Sequence, residues 1–112
     1  MTDLRGMSFA DAYARLADAF PDTLDVEPGS RLAGEVPAPT SKSYTHRALM
    51  VSCLGAGGQV ASPLLCTDSE RTVAVWEGLG ARIAYDAEHE LARVEGFDGQ
   101  PRPSSALLDV HE

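Results

Sequence analysis

Between residues 32 and 95 the sequence alternates strand-like and helix-like hydrophobic patterns, and this order constrains the fold more than any other feature. Two helical patterns separate short strand patterns, and the last two strands, "RIAYD" and "LARVEG", are joined through "AEHE" as a hairpin. The predicted order is strand, helix, strand, helix, strand, strand. Such an order is typical of an α/β unit whose first three strands are linked through helices. We therefore predict an α/β fold of βαβαββ type.

The segments outside the two central helices have weaker patterns. The stretch "TLDVEPGSRLAGEV" predicts two short strand-like pieces around the turn "EPGS", "QVASPLL" predicts the next strand, and "LLDV" is a final strand candidate. Residues 8–20 predict an additional amphipathic helix ahead of this unit, with Ser8 as its N-cap and Pro21 ending it.

The two central helices carry recognisable end signals. In "SYTHRALMVSCLGAGG", Ser43 is the expected N-cap and the glycine cluster suits the C-terminus. Within residues 48–54 only Ser52 is polar, so we expect this helix to be buried on nearly all sides. In "TDSERTVAVWEGLGA", Thr67 and Glu70 have the spacing of a capping box.

Length and charge limit the function classes that the chain can serve. A chain of 112 residues is sufficient for one small domain. Its formal net charge of −8, without a basic stripe interleaved with aromatic residues, argues against nucleic acid as a partner. No apolar run reaches the length of a membrane span and no signal peptide is recognisable, so we expect no membrane partner and a cytoplasmic location.

The two cysteines give no support for a disulfide framework or a metal site. Cys53 and Cys66 do not form a CxxC or a Cys/His metal spacing, and we expect both to be reduced and inert. We expect neither a metal nor a cofactor.

The stretch "PTSKSYTHRA" contains the only lysine, Lys42, whereas the other eight bases are arginines. Lys42 and Ser43 match the Lys-Ser pair of a Walker loop, but Val36 and Ser41 stand where that loop needs glycine, which disfavours a nucleotide-binding domain. With Ser43 as N-cap, Lys42 lies just outside the helix and Arg47 lies in its first turn.

Free amides at a helix N-terminus, together with an ammonium and a guanidinium, favour a bound phosphate or carboxylate. The sequence therefore predicts a local oxyanion site in an otherwise acidic chain. In the alternative interpretation these cations are simply solvated. Arg47 could then form a surface ion pair with Asp68, Glu35 or Glu70, which would stabilise the protein little.

The stretch "GEVPAPTSKSYTHRALMVSCLGAGG", followed by "SPLLCTDSERTVAVWEGLGARI", is similar to the beginning of EPSP synthases (3-phosphoshikimate 1-carboxyvinyltransferases). Members of that family read GxxxxPxSKSxTxRA, then a strand, then N/S-PLLSxDT, then a helix ending in ALxxLGA. The resemblance covers residues 30–110 approximately. The UDP-N-acetylglucosamine enolpyruvyl transferases are less similar, because they carry Lys-Asn where this chain has Lys42 and Ser43.

The resemblance implies a transferase of the shikimate pathway, which serves chorismate and aromatic amino-acid biosynthesis. Its substrates would be phosphoenolpyruvate and shikimate 3-phosphate, and its products EPSP and phosphate. The implied fold is the inside-out α/β barrel of the enolpyruvyl transferases, of which this chain would hold one incomplete βαβαββ unit with an extra N-terminal helix. Residues 1–29 would then be an N-terminal extension, and residues 30–112 a partial N-terminal domain.

The resemblance also assigns roles to particular residues. Lys42 would contact both substrates and act in catalysis through its charge. Ser43 and Arg47 would hold shikimate 3-phosphate. Asp68 matches the acidic position of the family motif and would orient the cations, unless it is an ordinary helix-start residue. His46 stands where the family often has Asn, and we expect it to be solvated.

The sequence departs from the family pattern at several points. Thr40 stands where Gly or Pro is common, and "LDVHE" resembles the start of the (G/K)-N-(S/A)-G-T-x-x-R motif, with His111 and Glu112 replacing the usual pair. The Gly-Thr and Arg that would grip phosphoenolpyruvate do not follow. We therefore expect a fragment that is inactive alone and that a complementing C-terminal piece could complete. The alternative is a non-catalytic anion- or partner-binding module, suggested by the extra helix at residues 8–20, whose apolar face needs a partner.

Overall fold

One four-stranded antiparallel sheet and three helices make up the fold in a computed structural model that describes residues 6–29, 31–105 and 107–110. In chain order the elements are β1 (Met7–Ser8), α1 (Phe9–Asp18), α2 (Lys42–Leu54), β2 (Gly57–Ala61), α3 (Thr67–Gly78), β3 (Arg82–Asp86) and β4 (Leu91–Glu95). Helix α3 contacts both α1 and α2. None of the helices in the described part of the chain has the length and apolarity that a bilayer crossing requires.

The strands lie in the order β1-β3-β4-β2. Strands β3 and β4 form the predicted hairpin, and β4 also pairs with β2. Because both pairings of β4 are antiparallel, β2 and β3 run parallel to each other with β4 between them. The predicted order of helix, strand, helix, strand, strand is therefore confirmed from α2 to β4.

The first predicted strand is absent. The described residues between 23 and 36 form no strand, and their large apolar side chains are exposed; these are Leu24, Val26, Leu32 and Val36. An extended segment becomes a strand only when a neighbouring strand pairs with its backbone. In addition, Gly34 has a φ of +127°, and Pro37 removes a donor directly after the segment. The prediction of strands here was wrong.

Near the ends of the chain, one further strand prediction fails and one short strand was not predicted. Residues 107–110, "LLDV", form no strand; the side chain of Leu108 instead packs against Gly78 at the end of α3. The two-residue strand β1 was not predicted, because a pair of residues is too short to show an alternating pattern. It pairs with β3, at the edge of the sheet opposite β2.

Helix α1 is part of the common core. As predicted, Ser8 is its N-cap, and the Ser8 Oγ accepts a hydrogen bond from the Asp11 N–H at 3.0 Å. Phe9 is almost fully buried and meets the ring of Tyr85 edge-on, with the ring centroids 6.1 Å apart. Farther along the helix and beyond its end, Leu16 and Phe20 remain exposed. The predicted apolar face is therefore covered at its N-terminal end only.

Helix α2 is buried on one face only, although nearly all of its second half is apolar. Thr45, Leu49 and Cys53 face the core, whereas Tyr44 is 71% exposed and Val51 is 66% exposed. The predicted burial on nearly all sides was wrong, because α3 and the sheet, the elements that pack against this helix in the described residues, cover one face of it. Burial raises the pKa of the Cys53 thiol to about 12, which keeps the thiol protonated and unreactive.

Replacing Leu49 tests which face of α2 forms the core. Leu49→Ala leaves a cavity under the helix, and we expect it to lower the free energy of unfolding by about 2–5 kcal/mol. Val51→Ala, the matched change on the exposed face, is expected to alter it by less than about 0.5 kcal/mol. Urea unfolding followed by circular dichroism measures both. Equal losses would contradict the assignment of the buried face.

Asp86 closes the β3–β4 hairpin with a cluster of charged hydrogen bonds. Its Oδ2 accepts from Arg93 Nη2 at 2.8 Å and from His89 Nδ1 at 3.0 Å, and its Oδ1 accepts from the Glu88 and His89 N–H groups. The Arg93 guanidinium is the main cause that lowers the pKa of Asp86 to about 2. The ionised carboxylate is therefore the form that the fold stabilises.

The lowered pKa predicts a specific acid dependence of stability. Because the pKa of Asp86 is lower in the folded chain than in the unfolded one, its contribution is complete above about pH 4 and is lost as pH falls towards about 2. Asp86→Asn should therefore unfold more easily at pH 7, and its stability should change less between pH 4 and pH 2. Glu88→Gln, in the same turn, is the control. Parallel pH profiles for the wild type and Asp86→Asn would contradict this role.

Candidate functional site

The N-termini of α2 and α3 lie side by side, and this brings Lys42 and Asp68 together. Lys42 is the first residue of α2 and Asp68 is the second residue of α3. The Lys42 Nζ donates to the Asp68 Oδ2 at 2.6 Å. Both side chains remain about half exposed, at 53% and 58%. An ion pair therefore spans the starts of the two helices at the protein surface.

The start of α2 differs from the prediction by two residues. The N-cap is Ser41 and not Ser43, since the Ser41 Oγ accepts from the Tyr44 N–H at 3.4 Å and the Ser41 carbonyl accepts from the Thr45 N–H at 3.1 Å. Lys42 therefore lies inside the first turn. Both serines that flank Lys42 satisfy the capping preference, so the local sequence alone did not distinguish them.

Two buried hydroxyls hold the starts of the two helices in register through one loop residue. Thr45 Oγ1, on α2, accepts from the Leu64 N–H at 3.0 Å, and Ser69 Oγ, on α3, donates to the Leu64 carbonyl at 2.5 Å. Thr45 and Ser69 are the two buried polar side chains in the described residues. We call this arrangement the Leu64 clamp. Lys42 lies three residues before Thr45 on α2, and Asp68 lies one residue before Ser69 on α3. The clamp therefore sets the distance between Lys42 and Asp68.

The predicted capping pair of α3 was one residue out of register. The N-cap is Cys66, and the Ser69 Oγ accepts from the Cys66 N–H at 3.0 Å. Thr67 and Glu70, the predicted pair, do not cap this helix. Thr67 instead shares a hydrogen bond of 2.7 Å with the Tyr13 hydroxyl, which connects α1 to the start of α3.

One turn beyond the ion pair, His46 forms a second connection between the helices. Its Nδ1 lies 2.8 Å from Thr72 Oγ1, and the His46 side chain is half-buried. The expectation of a solvated histidine was therefore wrong. His46 follows Lys42 by four residues and Thr72 follows Asp68 by four, so the two contacts lie along the same groove between α2 and α3.

Arg47 and Ser43 lie beside this line of contacts. Arg47 is exposed and borders a groove of about 260 Å³ with His46, Met50, Thr72 and Trp76. Arg47 forms no ion pair in the described part of the chain. The surface pairs with Asp68, Glu35 or Glu70 that the sequence allowed are therefore not formed. A five-residue separation places Arg47 about 140° around the axis from Lys42. Ser43 is exposed and shares the face of Arg47.

A larger cavity, of about 510 Å³, opens between α2, α3 and the C-terminal segment. Its lining residues are His46, Thr67, Asp68, Arg71, Thr72, Val75, Trp76 and Val110. Arg71 is half-buried and forms no ion pair among the described residues, and no sequence pattern had marked it as a site residue. Arg71 follows Asp68 by three residues, and this spacing predicts that both side chains lie on the same face of α3.

The electrostatics of the groove favour an oxyanion. The hydrogen bond from Lys42 is the main cause that lowers the pKa of Asp68, and the same bond raises the pKa of Lys42. Both groups are therefore held in their charged forms. The first turn of α2 contains no acid, so its free amides and Lys42 together form a positive helix end. A positive helix end of this kind favours a nearby negative charge. Among the residues that the structure describes, no group of three possible metal ligands occurs.

Because Lys42 is the only lysine, its titration reports directly on the ion pair. In Asp68→Ala the ammonium loses both a hydrogen-bond acceptor and a neighbouring negative charge, so we expect the pKa of Lys42 to fall towards the ordinary lysine value. NMR titration of a chain labelled with ¹³C at lysine Cε gives a single resonance to follow. Glu70→Ala, which removes a different acid from the same turn, should change that pKa less. Equal effects of the two variants would show that the contact with Asp68 is not the cause.

Comparisons with known proteins match most of this chain to one family. The family model of EPSP synthase (3-phosphoshikimate 1-carboxyvinyltransferase) matches residues 26–111. A 3-phosphoshikimate 1-carboxyvinyltransferase from Methanococcoides burtonii is 40% identical over 81 residues, which are 72% of this chain and 18% of the relative. Proteins of the same name from Natronomonas pharaonis and Acetivibrio thermocellus are 42% identical over 72 residues and 38% identical over 82 residues. Those matches cover 64% and 72% of this chain, and 16% and 19% of the relatives.

The chain therefore spans less than a fifth of the length of these relatives. The region matched by the family model nevertheless contains α2, α3 and all of the residues that line the groove and the cavity. Since the family model matches well over half of the sequence, the chain belongs to the EPSP synthase (3-phosphoshikimate 1-carboxyvinyltransferase) family.

Proposed function

We propose that this chain forms part of an enzyme that transfers the enolpyruvyl group from phosphoenolpyruvate to the 5-hydroxyl of shikimate 3-phosphate, with release of phosphate. The reaction belongs to the shikimate pathway of chorismate and aromatic amino-acid biosynthesis. Both substrates are anions. The observation that carries the proposal is the contact of Lys42 with Asp68 where two helix N-termini meet, within the region matched by the family model.

In this proposal Lys42 contacts both substrates and stabilises the charge that develops during transfer. An ammonium has three N–H donors, so Lys42 can keep its bond to Asp68 and still donate to a substrate oxygen. Asp68 orients the ammonium before a substrate arrives. Such a fixed charge acts without reorganisation at the moment of reaction, which is the basis of electrostatic catalysis.

Ser43 and Arg47 hold shikimate 3-phosphate in this proposal. The guanidinium of Arg47 is exposed and forms no ion pair with a described residue, so its donors are available to a phosphate group in a two-pronged contact. Ser43 lies one turn before Arg47 on the same face of α2 and adds a hydroxyl donor.

We also propose the finer architecture that the resemblance implies. Residues 30–112 would be a partial N-terminal domain that holds the αβαββ part of a βαβαββ unit of an inside-out α/β barrel, and residues 1–29 an extension that packs on it through α1. The enzyme would act in the cytoplasm without a cofactor. A complementing C-terminal piece would supply the groups that this chain lacks.

A non-catalytic anion- or partner-binding module is the second candidate. The observation that favours it is the apolar surface of Leu16 and Phe20, which remains exposed on and beyond α1. A module of this kind would keep the oxyanion groove and use α1 to contact a partner. Transfer activity distinguishes the two candidates.

A chimera tests the proposed activity. The 81 matched residues of the Methanococcoides burtonii relative are replaced by the corresponding residues of this chain, and phosphate release from the two substrates is measured. We expect turnover, and we expect Lys42→Ala in the chimera to lower kcat/KM by about 10²-fold or more, because a charge at the reacting centre is lost. The isolated chain should release no phosphate, since groups from the rest of the enzyme are missing.

Arg82→Ala is the matched control. Arg82 is an exposed cation on β3 that pairs with Glu95, away from the groove, and its loss should leave kcat/KM within about twofold of the chimera. A folded but inactive chimera would favour the binding module. Equal effects of Lys42→Ala and Arg82→Ala would refute the role proposed for Lys42.

A further inference from the structure

Asp68 lies between two residues that are each hydrogen-bonded to another part of the fold. Ser69, directly after it, belongs to the Leu64 clamp. Thr67, directly before it and the first residue of α3, shares a hydrogen bond of 2.7 Å with the hydroxyl of Tyr13 on α1. Thr67 and Asp68 also line the same cavity of about 510 Å³. The contact with Tyr13 is therefore made one residue away from the carboxylate of the ion pair.

The part of α1 that carries Tyr13 is packed onto the core. Phe9 and Ala12 are buried, and the ring of Phe9 meets the ring of Tyr85 on β3. Tyr13 follows Phe9 by four residues, so both side chains lie on the face of α1 that is turned towards the core. Tyr13 is half-buried, and α1 contacts both α3 and β3. The hydroxyl therefore reaches Thr67 from a helix that is held in place.

Helix α1 also lies beside the segments that lead into both helices of the site. Leu16 of α1 borders a cavity of about 270 Å³ together with Thr40, which directly precedes the N-cap of α2. Leu64 and Leu65, which precede the N-cap of α3, border the same cavity. The Tyr13 hydroxyl is the polar link from α1 to this region. The position of α1 is therefore coupled to the starts of the helices that carry the ion pair.

The first turn of α3 depends on such a contact more than the rest of the helix does. The first amides of a helix lack intrahelical acceptors, and helix ends fray more readily than the middle. Asp68 is the second residue of α3, and its side chain is 58% exposed. An exposed ion pair contributes only when both side chains are held in the right geometry. A restraint on the neighbouring Thr67 therefore acts on the contact of Asp68 with Lys42.

The contact with Tyr13 lies outside the region that the family model covers. That model matches residues 26–111, whereas α1 comprises Phe9–Asp18. The family motif implies a role for Asp68, but it contains no residue that corresponds to Tyr13.

We propose that Tyr13 is a positioning residue of the candidate site, which through Thr67 holds Asp68 at hydrogen-bond distance from Lys42. The N-terminal extension thereby takes part in the site and does more than cover the core. The contribution of Tyr13 to enolpyruvyl transfer rests on the proposed function, whereas the positioning of Asp68 does not.

The titration of Lys42 in the full chain measures the position of Asp68 without any substrate. Tyr13→Phe keeps the ring and removes only the hydroxyl. We expect the pKa of Lys42, followed by NMR at lysine Cε, to fall in the same direction as in Asp68→Ala but less far. Tyr85→Phe removes a hydroxyl from another ring that meets α1, and it should change this pKa less. An unchanged pKa of Lys42 in Tyr13→Phe would overturn the proposal.

A double-mutant cycle separates positioning from general stabilisation. In the Asp68→Ala background, Tyr13→Phe should have no effect on the pKa of Lys42, because the group through which it acts is gone. A fall of equal size in both backgrounds would overturn the proposal, since Tyr13 would then act by another route. Thr67→Val removes the other end of the hydrogen bond and should reproduce the result of Tyr13→Phe. Thr67→Ser keeps a hydroxyl and should leave the pKa close to that of the wild type.

A second chimera tests the effect on the reaction. It also carries the residues of this chain that precede the graft, so that α1 is present. We expect Tyr13→Phe to lower its kcat/KM by about two- to tenfold, the effect of losing one hydrogen bond between neutral groups. The loss should lie in kcat more than in KM, because the charge of Lys42 acts mainly in the transition state. Tyr85→Phe is again the control.

The two experiments distinguish failure of this proposal from failure of the proposed function. Unchanged kcat/KM for Tyr13→Phe in an active second chimera would overturn the role of Tyr13 in the site. An inactive second chimera would contradict the proposed function, and the pKa of Lys42 in the full chain would still decide whether Tyr13 positions Asp68.

Discussion

The Leu64 clamp is the interaction on which the rest of the site depends. Leu64 donates its N–H to Thr45 of α2 and accepts from Ser69 of α3 at its carbonyl, and both hydroxyls are buried. Buried polar groups need hydrogen-bond partners. Thr45, Leu64 and Ser69 therefore satisfy one another only when the N-termini of both helices are in place. The contact of Lys42 with Asp68 at the surface therefore follows from buried hydrogen bonds and not from its own weak attraction.

The oxyanion site that we propose needs only a few cations in one part of an otherwise acidic chain. Lys42 lies at the positive end of α2, while Arg47 borders the groove of about 260 Å³ and Arg71 the cavity of about 510 Å³, both without ion-pair partners in the described part of the chain. Elsewhere the cations Arg82 and Arg93 are paired with acids. The net charge of −8 describes the surface as a whole, whereas an anion bound near Lys42 responds most to the charges closest to it.

The sequence predicted features that depend on neighbouring residues better than features that depend on distant ones. The Ser8 cap and the β3–β4 hairpin are local and were predicted correctly. The caps of α2 and α3 were each misplaced, because distant hydrogen bonds to Leu64 decide between adjacent candidates. Contacts between helices, such as that of His46 with Thr72, have no signal in a linear pattern.

The two largest errors in the predicted fold have one physical cause. Sequence patterns predicted a strand before α2 and burial of α2 on nearly all sides, whereas the structure has an open edge at β2 and an exposed Val51. A hydrophobic pattern reports the surroundings in which a segment is stable, including any that other polypeptide supplies. The pattern of residues 23–36 and of α2 therefore indicates which surroundings these segments prefer, and not which surroundings the described residues provide.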